Sequence, residues 1–408
     1  MELLHTDTLE EAREKLWKET REMDMKTRKV KAQETPGRIS ASDVVSDENI
    51  PPFDRSVVDG YAVRARETYG AGEASPVFFR VTGQVRIEEA AGTLSGCQEA
   101  VRLQTGSMIP DGADAVVMSE YTEEYAPGRI ACIRAVSEGE NIIRAGEDVR
   151  RGECIIRRGQ KIGVGEAGML AGLGIREIQV YLRPSVAILS TGDELAGGDE
   201  PLTAGRIRDI NTSALSAAAL EYGMEICLRR RIRDEEREIR QAVEEAAEKS
   251  DIVLISGGSS KGDKDFTKKV LEEITGNVFT HGIAVRPGKP TILAYDRERR
   301  AVIAGLPGHP MAAVIMFRLL IRDWYRRKTG SPEPLKIPAV MKENVSSNQG
   351  RAACLPVRLV PGADGYEAVP VYAKSGSISA LAKADAFIMI PRNREGLRKG
   401  EKVKAELL

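Results

Sequence analysis

Three times in the second half of the chain, a short apolar run ends in a polar loop that contains glycine. Val186, Ala187, Ile188 and Leu189 lead into Ser190-Thr191-Gly192-Asp193-Glu194. Ile252, Val253, Leu254 and Ile255 lead into Ser256-Gly257-Gly258. Ala301, Val302, Ile303 and Ala304 lead into Gly305-Leu306-Pro307-Gly308-His309-Pro310. A run that is apolar at every position and bounded by glycine reads as a parallel strand buried on both faces. Helical patterns lie between and after these runs, at 212–222, 235–249, 266–274 and 311–327. Strands alternating with helices predict an α/β domain with a mainly parallel sheet. Such a sheet sets its loops side by side at the carboxyl ends of the strands, where ligands bind.

The rest of the chain follows other patterns. Thr8 and Glu11 have capping-box spacing, and Leu9, Ala12, Leu16 and Thr20 form one face of a helix over 8–23. Trp17, beside Leu16, reads as packing, and the basic stretch 26–31 reads as a solvated face. Pro51-Pro52 makes a stiff extended entry to the next segment. From 76 to about 143, short strand-like runs alternate with turns at Gly83, Gly92, Gly112 and Gly128. A glycine-rich stretch with a helix at 164–173 follows, and Pro184 opens the α/β part. Pro332, Pro334 and Pro338 mark a linker, after which alternating runs and glycine turns predict a small β-barrel-like domain. The expected layout is a discontinuous linker domain (1–52 with 145–183), an inserted mainly β domain (53–144), the α/β domain (184–329) and a C-terminal β domain (330–408).

Composition narrows the class. A length of 408 residues suits about three domains at roughly 150 residues each. With 60 basic and 61 acidic residues, the chain lacks the charge surplus of a general nucleic-acid or anionic-membrane binder. The five cysteines are scattered, without a CxxC pair, and suit a reducing compartment. Three histidines argue against a histidine zinc site. No apolar run reaches the roughly 18 residues of a membrane span, and the acidic N-terminus is unlike a signal peptide. A cytoplasmic protein is expected.

Candidate chemistry gathers at the loops. Adjacent glycines at 257 and 258 let the backbone turn its N–H groups toward an anion. Asp263 and Asp265 follow, two carboxylates one residue apart that either hold Mg²⁺ against phosphate oxygens or cap the next helix. Arg286-Pro287-Gly288-Lys289-Pro290 is a basic hook, read either as an oxyanion clamp or as a solvated turn. Asp59, before Gly60, reads as a turn residue when taken alone. Thr105 and Ser107 place two hydroxyls in a glycine loop.

Six motifs then occur in order: PPFDRSVVDGYAV, QTGSMIPDGADAVV, STGDEL, SGGSSKGDKDF, RPGKP and GLPGHP. Together they make the whole chain resemble the MoeA-type molybdopterin molybdenumtransferases, the family of the gephyrin E domain. The resemblance implies the last step of molybdenum cofactor synthesis. With Mg²⁺ and molybdate, adenylated molybdopterin receives metal at its dithiolene, its pyrophosphate bond is cleaved and AMP is released. It implies an elongated homodimer whose site joins the α/β domain of one subunit to the β insertion of the other, and it admits the upstream adenylyltransferase as a partner.

By the same resemblance, Asp59, Thr105, Glu194, Asp234, Asp263 and Asp265 are the catalytic candidates, with Glu194, Asp263 and Asp265 as Mg²⁺ ligands. Asp234 has a competing reading as a helix N-cap. Ser190, Thr191, Gly192, Ser256, Gly257, Gly258, Pro307, Gly308 and Pro310 are the substrate-binding set. Arg286, Lys289, Pro290, Arg351 and Ser375 are the molybdate set. His309 stands where the family usually has asparagine, Arg286 where it usually has lysine, and Arg55, Ser259 and Lys261 also depart from the pattern. These changes leave the class intact but leave tungstate open beside molybdate. The competing functions are an adenylyltransferase of the MogA type, which shares the α/β fold, and a non-catalytic scaffold. The retained Asp59, Glu194, Asp263, Asp265 and Lys289 argue against the scaffold.

Overall fold

A computed structural model describes residues 6–197, 200–257, 266–363, 365–372, 374 and 376–408. Its centre is a six-stranded sheet of β1 (Ser185–Thr191), β2 (Glu225–Ile232), β3 (Ile252–Ser256), β4 (Val278–His281), β5 (Ile292–Asp296) and β6 (Ala301–Leu306), in the order β2-β1-β3-β6-β5-β4. The first four strands of that order are parallel. The last two, β5 and β4, run antiparallel at one edge. The continuous apolar runs have a simple cause. Val186, Ile188, Leu254 and Val302 enter one core, while Ala187, Leu189, Val253 and Ile303 enter the core on the opposite face. Among the described residues, no helix is long and apolar enough to cross a membrane.

Helices cover both faces of the sheet. The first helix of the chain, α1 (Leu9–Glu19), has the expected capping box between Thr8 and Glu11. Its apolar face (Leu9, Ala12, Leu16) packs into the α/β core and not among the strands of the linker unit. Residues 1–52 are therefore divided by their packing, because an amphipathic face needs an apolar partner and the α/β unit offers one. Thr20 fixes this contact by accepting a 2.8 Å hydrogen bond from the buried Trp324 indole. The side chains of Arg327 and Lys328 lie over the Trp17 ring. The stretch 26–31, expected as a solvated face, forms the strand Thr27–Lys31 and pairs with Glu177–Tyr181. Only Val30 of that strand is buried. It joins Ile156, Leu170 of α2 (Val164–Gly172) and Val180 in a small separate core.

The remaining sheet helices are α3 (Asn211–Glu221), α4 (Glu236–Lys249), α5 (Phe266–Thr275), α6 (Pro310–Met316) and α7 (Asp323–Thr329), the last two joined by a π-helical stretch over Phe317–Arg322. Gly330, left-handed at φ 75°, ends α7.

Two β units flank the centre. Six strands between Gly60 and Cys132 form one mixed sheet, and the pairing of Arg55–Ser56 with Ile142–Ile143 closes the segment at its base. The C-terminal strands close into a ring. Ala352–Gly362 pairs with Gly365–Pro370 and with Ala386–Ile390, and Lys336–Met341 and Lys402–Leu407 complete the circuit. One short strand of the α/β unit, Val285–Arg286, adds to this barrel beside Ala352–Ala353. That pairing positions the basic hook.

Candidate active site

The loops after β1, β3 and β6 surround a cavity of about 810 Å³. It lies where α3 leads outward to β2 on one side of β1 while β3 lies on the other, the switch point at which open α/β sheets bind ligands. Of the expected residues, Thr191, Glu194, Asp234, Ser256, Gly257, Pro290, Pro307, Gly308 and Pro310 line it. Gly257 has φ 109°, and a side chain there would collide with the Thr191 carbonyl, so close approach of the first two loops requires glycine. At Gly192 a Cβ would sit 2.7 Å from the Glu194 carboxylate, which folds back over the loop. Gly192 itself faces a neighbouring cavity with Asp193, Arg206 and Arg231.

The side chain that joins these loops is Asn211, at the start of α3. Its amide donates to Ser256 Oγ at 2.5 Å and to the Gly308 carbonyl at 2.7 Å. Because the Gly308 oxygen can only accept, the amide orientation is determined. Asp209 organises the turn beneath, taking hydrogen bonds from the Thr212 amide (3.1 Å) and hydroxyl (2.6 Å). Ser190, expected in the substrate set, lies behind the wall and bonds Asp209 and Thr212. Sequence reasoning missed Asp209 and Asn211. The available signal was Asp209 three residues before Thr212, the spacing of a capping carboxylate ahead of a helix.

Asp234 lines the cavity and is not the helix cap. Glu235 occupies the N-cap position of α4, without a side-chain hydrogen bond to the helix. Gly258, Asp263, Asp265 and Ser375 lie outside the described residues.

On the far side of the cavity, Pro290 and Gly376 form the wall toward the barrel. The pairing of Val285–Arg286 with Ala352–Ala353 brings Arg286 and Arg351 onto adjacent chain segments, and Lys289 follows three residues after Arg286. None of these three cations is among the residues lining the cavity; Lys289 directly precedes Pro290 of its wall in the chain. His309 precedes α6 and lies against Gly376, where an added Cβ would be 3.6 Å from the imidazole.

Asp59 and Thr105 meet in the inserted β unit. Asp59 Oδ1 accepts from the Thr105 amide at 2.7 Å and from its hydroxyl at 3.0 Å. These two bonds hold the carboxyl below its usual pKa range. Asp59 is exposed, and neither residue lines the cavity of its own chain.

The α/β unit is thus an open sheet with a ligand cavity at its switch point. The family model described as a probable molybdopterin binding domain matches residues 187–327. Those of the MoeA N-terminal region (domains I and II) and the MoeA C-terminal region (domain IV) match 7–174 and 338–408. The chain is 32% identical over 390 residues to the molybdopterin molybdenumtransferase of Bacillus subtilis, covering 91% of this chain and 87% of that one. It is 31% identical over 377 residues to the enzyme of that name from Staphylococcus aureus strain Mu50, covering 92% and 89%. A crystal structure of the molybdopterin biosynthesis MoeA protein from Pyrococcus horikoshii superposes with TM-score 0.81 at 35% identity, over 99% of both chains. The chain belongs to the MoeA family of molybdopterin molybdenumtransferases, enzymes of molybdenum cofactor synthesis.

Proposed function

We propose that the cavity receives adenylated molybdopterin, that the dithiolene takes metal from molybdate, and that the phosphoanhydride is cleaved to release AMP. The observation that carries this reading is a strand-end cavity bordered by carboxylates, with the basic hook joined in sequence to one of its walls. Glu194, Asp209 and Asp234 border it on the loop side, and its wall residue Pro290 directly follows Lys289 in the hook whose strand, Val285–Arg286, pairs with Ala352–Ala353 after Arg351. A phosphoanhydride requires its reacting groups to be held in line and its charge balanced. A tetrahedral oxyanion requires fixed cations and donors.

Mg²⁺ takes hard oxygen ligands, commonly one or two carboxylates completed by phosphates and water. The described carboxylates Glu194 and Asp234 line the cavity and are oxygen ligands of the hard kind that Mg²⁺ takes. Glu194 is the described residue we assign to it, together with Asp263 and Asp265. Bound there, Mg²⁺ supplies charge neutralisation at the phosphates. The protein's own part is positional. Asn211 holds the Ser256 and Gly308 loops in register, and Gly257 keeps the backbone close enough to cradle the substrate.

We assign Asp59 and Thr105 to the cavity of a second subunit in a homodimer. The reading is supported by their mutual hydrogen bonds, their exposure and their absence from the lining of their own chain's cavity. AMP release from adenylated molybdopterin, measured side by side with molybdate, with tungstate and with neither, tests the proposal. Release that no oxyanion stimulates would refute it, and the ratio of the two ions gives the preference.

A further inference from the structure

A second large cavity lies away from the strand-end loops, where the linker, α/β and barrel units meet. It encloses about 660 Å³, within the roughly 300–1,000 Å³ of small-molecule sites, which form preferentially at such junctions. Its apolar wall comes from three separate parts of the chain. Leu220 at the end of α3, Leu335 after the proline linker and Leu407 in the last barrel strand are 55%, 68% and 40% exposed. Single exposed leucines are ordinary, but three converging on one hollow are not.

The polar side of the cavity is cationic. Arg322 is neutralised by Glu406 at 2.6 Å and Arg326 by Asp323 at 3.0 Å, while Glu221 is engaged by Arg318 at 2.9 Å. Arg38 and Arg183 differ: among the described residues neither guanidinium has an ion pair or a side-chain hydrogen bond. Loss of hydration, with the like charges of Arg183 and Arg28 nearby, holds Arg38 below its usual range, and Glu225 and Glu34 only partly offset this. Tyr325 lines the same cavity, and burial pushes its phenol up to about 12, so it stays a hydrogen-bond donor.

We propose that this junction binds an organic anion with an apolar body, its charged group on Arg38 and Arg183 and its body against Leu220, Leu335 and Leu407. Carboxylates and phosphates share the required chemistry. The test titrates the full chain with 8-anilinonaphthalene-1-sulfonate by fluorescence. We expect one saturable site per chain, displaced by 1-naphthyl phosphate or 1-naphthoate but not by neutral 1-naphthol. The stronger of the two anionic competitors identifies the preferred group. Combining Arg38→Gln with Arg183→Gln should raise the probe Kd at least about tenfold, the loss expected for one charge-assisted contact. Combining Arg38→Lys with Arg183→Lys should keep most of the affinity, and Asn211→Ala, in the other cavity, should leave it unchanged. Equal binding by the glutamine pair, displacement by naphthol as effective as by the anions, equal losses in the lysine and glutamine pairs, or a loss in Asn211→Ala would each overturn the assignment.

Discussion

Replacing Asn211 tests whether one amide holds the cavity loops together. The residue bonds Ser256, 45 positions later in the chain, and Gly308, 97 positions later. In Asn211→Ala both bonds are lost. Ser256 is 1% exposed, so its hydroxyl loses a partner that water cannot readily replace. Gly308 is exposed, so water can take over its carbonyl. At about 0.5–1.5 kcal/mol for each net bond, with the buried hydroxyl adding a desolvation cost, the expected destabilisation is about 1–3 kcal/mol. The effect on turnover should be larger than that on folding. A misplacement near 1 Å costs on the order of a hundredfold in rate, so single-turnover AMP release should fall by about that factor while the chain stays folded. Asn211→Asp sharpens the test. It keeps the shape but sets a carboxylate oxygen against the Gly308 carbonyl, and should be worse than alanine in both urea unfolding and AMP release. Wild-type turnover in Asn211→Asp would show that the donor role assigned to this amide is wrong.

Lys289→Ala should lower molybdate affinity at least about tenfold, the value of one desolvated charge-assisted contact, as read by calorimetry; unchanged affinity would reduce the hook to a turn. Asp59→Asn and Asn211→Ala, each impaired alone, should recover AMP release when the two chains are mixed and allowed to exchange subunits, because one of the two shared sites then contains both wild-type residues. Failure to recover in verified mixed dimers would refute the shared site. Asp251 accepts from the Ser185 amide (2.8 Å), the Ser185 hydroxyl (2.7 Å) and Lys26 (3.1 Å). Burial pushes its carboxyl up, but these donors together outweigh burial and hold it below its usual range. A depressed folded-state pKa contributes stability that is full above the unfolded value of about 3.9 and is lost as pH falls through the folded value. Asp251→Asn should therefore be less stable than wild type in urea at pH 7, with the gap closing in acid; a gap independent of pH would contradict this. Cys97, Cys154 and Cys227 are exposed whereas Cys132 and Cys354 are buried, and burial pushes both buried thiols upward. Burial also raises the Cys227 thiol, so a thiol reagent should label Cys97 and Cys154 first in the native chain, Cys227 more slowly, and all five after unfolding.

The strands β1, β3 and β6 were legible because each is buried on both faces, which writes an unbroken apolar run into the sequence. Strand β2 was not. Its sequence EICLRRRI lies at the sheet edge, is exposed or half-buried at every position but Ile232 and carries three arginines, so the apolar run is missing. The antiparallel strands β4 and β5 were lost between clearer signals, since VFTH and ILAYD mix polar residues into short runs and lack an unbroken apolar stretch. For α1 the apolar face was readable and its partner was not. Periodicity shows that a face must be buried, whereas the packing surface is supplied by β4, β5 and the helical stretch 317–329, about 260–320 residues away in sequence.

The same distinction separates the two readings of the basic hook. Within RPGKP, everything local favours a turn, because proline and glycine are turn residues whatever their neighbours do. What distinguishes a clamp is whether other polar groups converge on it from elsewhere in the chain. The clamp reading we propose draws on the pairing of Val285–Arg286 with Ala352–Ala353, between segments about 67 residues apart. This pairing sets Arg286 beside the segment of Arg351 and leads the chain through Lys289 to Pro290 at the cavity wall. The strand ties the hook's backbone to the barrel sheet, so the position of the hook depends on how the α/β unit and the barrel are seated. Asn211 provides the corresponding constraint on the loop side, where it ties α3 to the β3 and β6 loops. Both constraints are contacts between distant segments, and for that reason each motif was recognisable in the sequence before its partners were.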